Sequence, residues 1–402
     1  MKKILIVDHF SQTPDEAGNN RFTYLAELLV KIGYDVEIAT TDFSHKNKKT
    51  RTTPKKMLDE LSYKFTMLSE PGYKKNVSLK RFYSHYVFGK NLEKYLNDSE
   101  KPDLVYVAVP SLDAAKVAAK YAQKNNIPFI VDIQDLWPEA FQLVFNIPVV
   151  KDIVFAPLKI TADKVYKAAD RLVAVSDTYL KRGMAVNTKD SKGLCIFLGT
   201  DLTDFDEIRN ACPEKSDDKF SVAYAGTLGH SYNITIIIDA LKMLQEKGYE
   251  DIVFNVFGDG PLMADFKTYA ESQKVNCIFH GRLDYKEMVW RLCRCDIAVN
   301  PISKGAAQSI INKHGDYAAA GLPVVSTQEC PEYRNLLDEY NSGINCECEN
   351  TKAVAEAIEK LYLSEELRKE MGNNSRKMAE ERFDRRNTNK KIVALIEELL
   401  ER

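Results

Sequence analysis

The chain has 402 residues, with 56 Lys and Arg against 58 Asp and Glu, and a formal net charge of −2. That balance leaves no basic footprint for nucleic acid, and no apolar run approaches the roughly 18–20 residues that span a bilayer. With 45% hydrophobic and 28% charged residues, the composition is that of a folded globular protein, long enough for two domains of roughly 200 residues each.

The first apolar run, Ile4-Leu5-Ile6-Val7, stops at Asp8. It is too short for the roughly 7–15-residue core of a signal peptide. It reads as a buried parallel strand, and the expected location is cytoplasmic. Residues 21–32 have helical spacing through Phe22, Leu25, Leu28, Leu29 and Ile32, and Gly33 follows as a stop. A strand is expected over 35–40. The run 45–56 carries Lys46, Lys48, Lys49, Arg51, Lys55 and Lys56 and no acid. It reads as a loop, either solvated or held on an anionic membrane surface at about 1 kcal/mol per basic residue. Strands follow over 104–109, 128–133, 172–175 and 196–197, with a helix over 114–124.

The pattern then restarts. Strands over 220–224 and 251–257 each end in a glycine turn, Gly226-Thr227-Leu228-Gly229 and Gly258-Asp259-Gly260-Pro261. Shorter strands follow over 276–279, 297–299 and 323–326. Residues 200–219 are acidic, contain Pro213 and lack a clear period, so the linker is expected there. Residues 387–400 read as an amphipathic helix through Ile392, Leu395, Ile396 and Leu399. The fold class is therefore α/β, with two tandem Rossmann-like domains facing across a cleft. The expected domains are 1–205, binding the acceptor, 206–385, binding the donor, and a terminal helix 386–402 packing back on the first.

Neither glycine turn is Gly-x-Gly-x-x-Gly, which argues against a nicotinamide dinucleotide. Glycines after a strand do let backbone amides approach an anion. In the segment 300–326, Lys313 and Asp316 lie three apart and share a helix face. A lysine can meet a phosphate and an aspartate can accept from sugar hydroxyls; the bland alternative is a solvated ion pair. All eight cysteines lie at or after Cys195, and their Cys-x-Cys pairs lack zinc spacing. The Asp204-Phe205-Asp206 triplet falls in the expected linker and reads as solvated surface. No metal and no cofactor are expected.

In order, Ala225–Gly229, Phe257–Pro261, Phe279-His280-Gly281-Arg282-Leu283 and Asp316–Val325 resemble the donor domain of family 4 glycosyltransferases, of the GT-B fold. The first half adds Ala17-Gly18-Asn19-Asn20-Arg21-Phe22, Asp42-Phe43-Ser44-His45 and Val131–Glu139. Those resemble the subgroup that builds O-antigen and capsule repeats, including N-acetyl-fucosamine transferases. The resemblance implies a retaining, metal-independent hexosyl transfer. The donor would be a nucleotide-diphosphate sugar, UDP-linked, and the acceptor lipid-linked or saccharide, at the cytoplasmic face of a membrane.

The resemblance also implies roles. Asp316 would bond the donor ribose, and Gln308 stands where the family has a glutamate. Amides at Ile310 and Ile311 would hold the sugar or pyrophosphate, and main chain at Arg282 and Leu283 the base. Gly18, Gly226 and Thr227 complete the donor contacts, and Gln134 and Asp135 stand near the reacting carbon. Where the family places two basic residues after the first glycine turn, this chain has His230 and Asn233. Lys313 then becomes the candidate phosphate cation, with Arg282 or Lys304 behind it. Two other readings remain open: a nucleotide-sugar-binding subunit without transfer activity, and a nucleotide-sugar 2-epimerase.

Overall fold

The computed structural model describes residues 1–16, 21–139, 150–190, 192–211, 219–306 and 309–401, with backbone only for 150–153. The chain divides into two compact units, Met1–Ile196 with Asn389–Arg402, and Phe197–Thr388.

The first unit is built on a parallel sheet of β1 (Lys3–Val7), β2 (Asp35–Thr41), β5 (Lys64–Leu68), β6 (Leu104–Val109), β7 (Phe129–Ile133), β8 (Arg171–Ala174) and β9 (Leu194–Cys195). The spatial order is β5-β2-β1-β6-β7-β8-β9. Alternation along each strand feeds two cores. Leu5 and Val7 of β1 and Val105, Val107 and Val109 of β6 pack under the helices Leu79–Asp98 and Leu112–Asn125. Ile4, Ile6, Leu104 and Tyr106 face the other way, against Phe22, Leu25 and Leu29 of helix Arg21–Lys31 and Ile392 and Ile396 of the last helix. A one-residue slip would exchange the two sets, so burial of both fixes the register. Between β2 and β5, β3 (Phe43–Ser44) and β4 (Lys49–Thr50) form a small antiparallel hairpin.

The second unit repeats the plan with β10 (Phe220–Ala225), β11 (Ile252–Phe257), β12 (Cys277–Gly281), β13 (Ile297–Asn300), β14 (Val324–Ser326) and β15 (Gly343–Asn345), in the order β12-β11-β10-β13-β14-β15. In each sheet the order reverses beside one inner strand: β1 lies between β2 and β6 and β10 between β11 and β13, so the connections leaving β1 and β6, and β10 and β13, part to opposite sides. The carboxyl edge there is the switch point at which open α/β sheets bind ligands.

Residues 200–219 are not simply a linker. Leu202–Asn210 is a helix whose Asp201 cap accepts from the amides of Thr203 and Asp204. Phe205 is fully buried, and Asp206 takes both Nη atoms of Arg376 at 2.7 Å. The Asp204–Asp206 triplet is thus only partly solvated surface: its centre is core and its last residue is an ion-pair partner. Burial pushes the Cys277 thiol up to about 12 and the Cys346 thiol up to about 11, the mark of packed rather than reactive thiols.

Phe205→Ala should therefore cost about 3–5 kcal/mol of unit stability by the cavity it leaves, read as a fall in the denaturant midpoint. An unchanged midpoint would mean that the helix is not packed as described.

Candidate functional site

At the switch point of the second sheet, two glycine turns meet backbone to backbone. Gly226 and Gly258 have φ of +146° and +147°. A Cβ on Gly258 would lie 1.8 Å from the Gly226 carbonyl oxygen, and one on Gly260 2.3 Å from that of Leu228. No side chain fits either place. The turns are tied by Gly226 N–H donating to Phe257 O at 2.9 Å and Leu228 N–H to Asp259 O at 3.0 Å.

Helix Asn312–Ala319 closes the same edge. The Tyr317 hydroxyl accepts from the Ala225 amide at 2.8 Å and lies 3.3 Å from the Val299 carbonyl, so it spans the ends of β10 and β13. One turn earlier the helix brings in Lys313, only 6% exposed. Among the described residues its ammonium has no hydrogen-bond partner. It sits over the rings of Tyr224 and Tyr232, at 4.3 and 4.1 Å, and 3.6 Å from where a Gly226 Cβ would stand. Desolvation holds its pKa well below the usual lysine range. Two aromatic faces are worth about 2 kcal/mol or more to a desolvated cation, less than the several kcal/mol that dehydrating an ion costs.

Asp316, partly buried on the same helix, accepts from Thr200 at 3.2 Å and from Tyr285 at 3.0 Å. Burial raises its carboxyl to about 6, against those two hydrogen bonds. Lys313 and Asp316 do not pair with each other; the lysine points to the glycine turns and the aspartate to Thr200 and Tyr285.

The other expected residues are distributed less evenly. Thr227 and His230 are exposed beside the turn, their carbonyls accepting from Tyr224 at 2.8 Å and Ser303 at 2.9 Å. Asn233 accepts from the Ile236 amide at 3.2 Å and caps helix Ile234–Glu246, which explains a neutral residue there. Arg282 is exposed and Leu283 partly buried, and Lys304 pairs with Glu349 at 3.3 Å. Ile310 is buried. The Ile311 amide, expected to face a ligand, donates instead to His314 Nδ1 at 3.3 Å. The buried His314 ring stacks 3.5 Å from Tyr333. Gly18 and Gln308 lie outside the described residues.

In the first unit, Gln134 is anchored at the end of β7. Its amide donates to Val109 O at 2.8 Å and its side chain to Asp132 at 2.5 Å. Asp132 is itself buried against Arg21 at 3.0 Å. Burial raises the Asp135 carboxyl, opposed by the Leu136 amide at 2.9 Å. At the switch point stand groups that sequence reading missed: His9 lies 3.1 Å from Glu70 and 2.7 Å from Ser111. Each follows the carboxyl end of a strand, which was the available signal. The run 45–56 is not a free loop either. Arg51, 4% exposed, donates to Thr41 O and Ser11 O at 2.6 Å and pairs with Glu16 at 2.9 Å. Lys48 donates to Asn76 at 2.5 Å. Lys46, Lys49, Lys55 and Lys56 are the exposed cations of the run.

Residues 204–378 match the family model described as Glycosyl transferases group 1. An uncharacterized glycosyltransferase of Methanocaldococcus jannaschii is 24% identical over 212 residues, which are 52% of this chain and 55% of that protein. The chain thus spans little more than half of that relative's length. Among solved structures, sucrose-phosphate synthase from Thermosynechococcus elongatus superposes with a TM-score of 0.71 at 15% identity, over 100% of both chains. Anabaena HepE in complex with UDP superposes with a TM-score of 0.68 at 16% identity, over 99% of this chain and 100% of that one. The fold is that of GT-B glycosyltransferases, and the matched domain and named relatives support a transferase.

The raised Asp316 carboxyl has a stability consequence. A folded-state value of about 6 against a usual 3.8 favours the folded unit most below pH 3.8, and that advantage is lost as pH rises to about 6. Asp316→Asn should flatten this part of the stability profile and stabilise the ligand-free protein at pH 7 by about 1–3 kcal/mol. Parallel thermal melts of the two proteins from pH 4 to 7 test it; parallel curves would place the carboxylate in solvent.

Proposed function

We propose that the protein is a retaining glycosyltransferase. It takes a nucleotide-diphosphate sugar in the second unit and moves the sugar to a lipid-linked or saccharide acceptor in surface-polysaccharide synthesis. The observation that carries this is the buried, unpartnered Lys313 ammonium against the Gly226 turn at the sheet's switch point. A diphosphate is the counter-ion that such a site lacks. With Asn233 used as a helix cap, Lys313 takes over the charge that the family resemblance assigns to the residues after the turn.

Asp316, one helical turn on, is placed to accept from ribose hydroxyls in exchange for its contacts with Thr200 and Tyr285. UDP is the favoured nucleotide, because HepE, a structural neighbour, was solved with it. As the sugar–phosphate bond breaks, charge grows on the leaving diphosphate. Fixed donors already in place for that charge stabilise the transition state. No side chain is assigned as nucleophile; the leaving phosphate oxygen takes the acceptor proton on the same face. Gln308, Gln134 and Asp135 are assigned to the sugar and its reacting carbon. A binding subunit without transfer activity is the second reading, motivated by Gln308, His230 and Asn233, which stand where the resemblance has a glutamate and two basic residues. Acceptor-dependent release of UDP supports the transferase, and UDP binding without turnover supports the subunit. Conversion of the donor sugar without acceptor would point to an epimerase.

Diphosphate beside Lys313 favours the charged amine, so UDP binding should take up a proton there, and uridine binding should not. Calorimetry in two buffers of different ionisation enthalpy reads that uptake directly. Lys313→Ala should abolish it and weaken UDP far more than uridine. Asp316→Ala should weaken both, by about 1.5–3 kcal/mol. Equal losses for UDP and uridine in the lysine variant would make Lys313 structural.

Membrane attachment is proposed for the exposed lysines of the run 45–56 together with the segment after Glu70. From 71 to 92 the chain has no acid, while Leu79, Tyr83 and Tyr86 are 87%, 58% and 50% exposed. Changing Lys46, Lys49, Lys55 and Lys56 to Gln should weaken binding to anionic vesicles by up to about 1 kcal/mol per charge, with high salt mimicking the variant. Sedimentation with vesicles at low salt checks it. Wild-type protein that stays in the supernatant refutes the attachment.

A further inference from the structure

The first unit holds a second set of cations that the donor site does not use. Arg81, 8% exposed, lies 4.5 Å over the Trp137 ring and 5.5 Å from that of Tyr73. It donates to Asn76 O at 2.9 Å and lies 3.4 Å from His85 Nε2. Lys48 Nζ sits 4.8 Å over the same Tyr73 ring and 3.4 Å from His45, whose Nδ1 meets the Tyr73 hydroxyl at 2.5 Å. Four basic side chains thus share one aromatic shell.

Among the described residues no carboxylate pairs with any of them. Glu70 is committed to His9 at 3.1 Å, Thr41 at 2.8 Å and Ser84 at 2.7 Å. Asp135 accepts from the Leu136 amide. Burial, with neighbouring cations adding to it, pushes His45 down to about 4 and lowers Lys48 and His85 as well; burial also lowers Arg81. With His45 held down at about 4, the charges of the grouping are those of Arg81 and Lys48; Asp135 and Glu70 act on Arg81 through space without ion-pair contact among the described residues, whereas buried cations are ordinarily paired directly. Lys48 and His45 are only partly buried and Asn76 is exposed, which leaves a rim through which an anion can enter.

We propose that Arg81, Lys48 and His45 form an anion site that takes the phosphate or diphosphate group of the acceptor. The guanidinium, 4.5 Å over the Trp137 ring, carries the fork that phosphate oxygens match, and Lys48, partly exposed, adds a second charge at the rim. Assignment to an acceptor rests on the glycosyltransferase reading; the anion site itself does not.

Trp137 reports on the site. The chain has two tryptophans, so Trp290→Phe leaves Trp137 as the sole emitter. In that full-length background, farnesyl diphosphate, inorganic pyrophosphate and farnesol are titrated against Trp137 fluorescence. Farnesyl diphosphate should saturate the signal and farnesol should not. Arg81→Lys should weaken it at least ten-fold, and Lys48→Gln, at the rim where folding is not at risk, several-fold. Affinity for farnesyl diphosphate well above that for pyrophosphate assigns the site to a lipid-linked acceptor; equal affinities support a phosphate site fed by a soluble one. No Trp137 response to either diphosphate, or a response that both variants leave unchanged, overturns the proposal. UDP binding followed by calorimetry in the same samples keeps the two readings apart. UDP binding without a Trp137 response sinks the anion site alone. A Trp137 response without UDP binding sinks the donor reading and leaves the anion site standing.

Discussion

The Tyr317 hydroxyl governs the geometry of the second unit's carboxyl edge. By accepting from the Ala225 amide and lying against Val299 O, it joins β10 and β13 where their connections part. It also sets the rotation of helix Asn312–Ala319. With Tyr317 facing the sheet, Lys313, four residues earlier, is carried to the glycine turns. Asp316, one residue before it, is carried to Thr200 and Tyr285. A fully buried ring on a short helix therefore places both polar groups without either forming a structural ion pair.

That placement leaves the charged forms of both groups disfavoured by burial in the free protein. The glycine turns leave no room for a side chain that could neutralise Lys313, because any Cβ at Gly258 or Gly260 meets backbone. The tyrosine rings soften the burial of the amine without supplying a negative charge. Asp316 likewise sits where burial disfavours its charged form. Stability given up at a binding site is recovered when a ligand supplies the missing partners, and the large apolar core of the second unit makes such a deficit tolerable.

Much of this was legible from sequence. The strand–turn–helix order and the glycine turns are local patterns, and local patterns survive without coordinates; that Lys313 and Asp316, three apart, turn to different partners could not be read from spacing. What was not legible depends on distance along the chain. His9 and Glu70 are 61 residues apart, and only the return of β5 beside β2 brings them together. The helix Leu202–Asn210 is too short for periodicity to declare itself, although Asp201 ahead of it is a capping signal. Asn233 was read as a missing charge when its position directly before an apolar run marks it as a cap. Arg51 looked like one more solvated cation, because nothing in a run of basic residues tells which of them turns inward to carbonyls.

The two perturbed groups on one helix also constrain how a ligand can be recognised. A diphosphate favours the charged lysine and so draws a proton in. Hydroxyls donating to Asp316 favour the carboxylate and so release one. On the proposed reading a full nucleotide diphosphate would engage both groups, the two effects would oppose each other, and its affinity would depend less on pH than that of either half alone. The free nucleoside would then engage only the acid, and inorganic pyrophosphate only the amine, with opposite pH slopes. A site in which both groups were merely structural would show no such division between the two halves of the ligand.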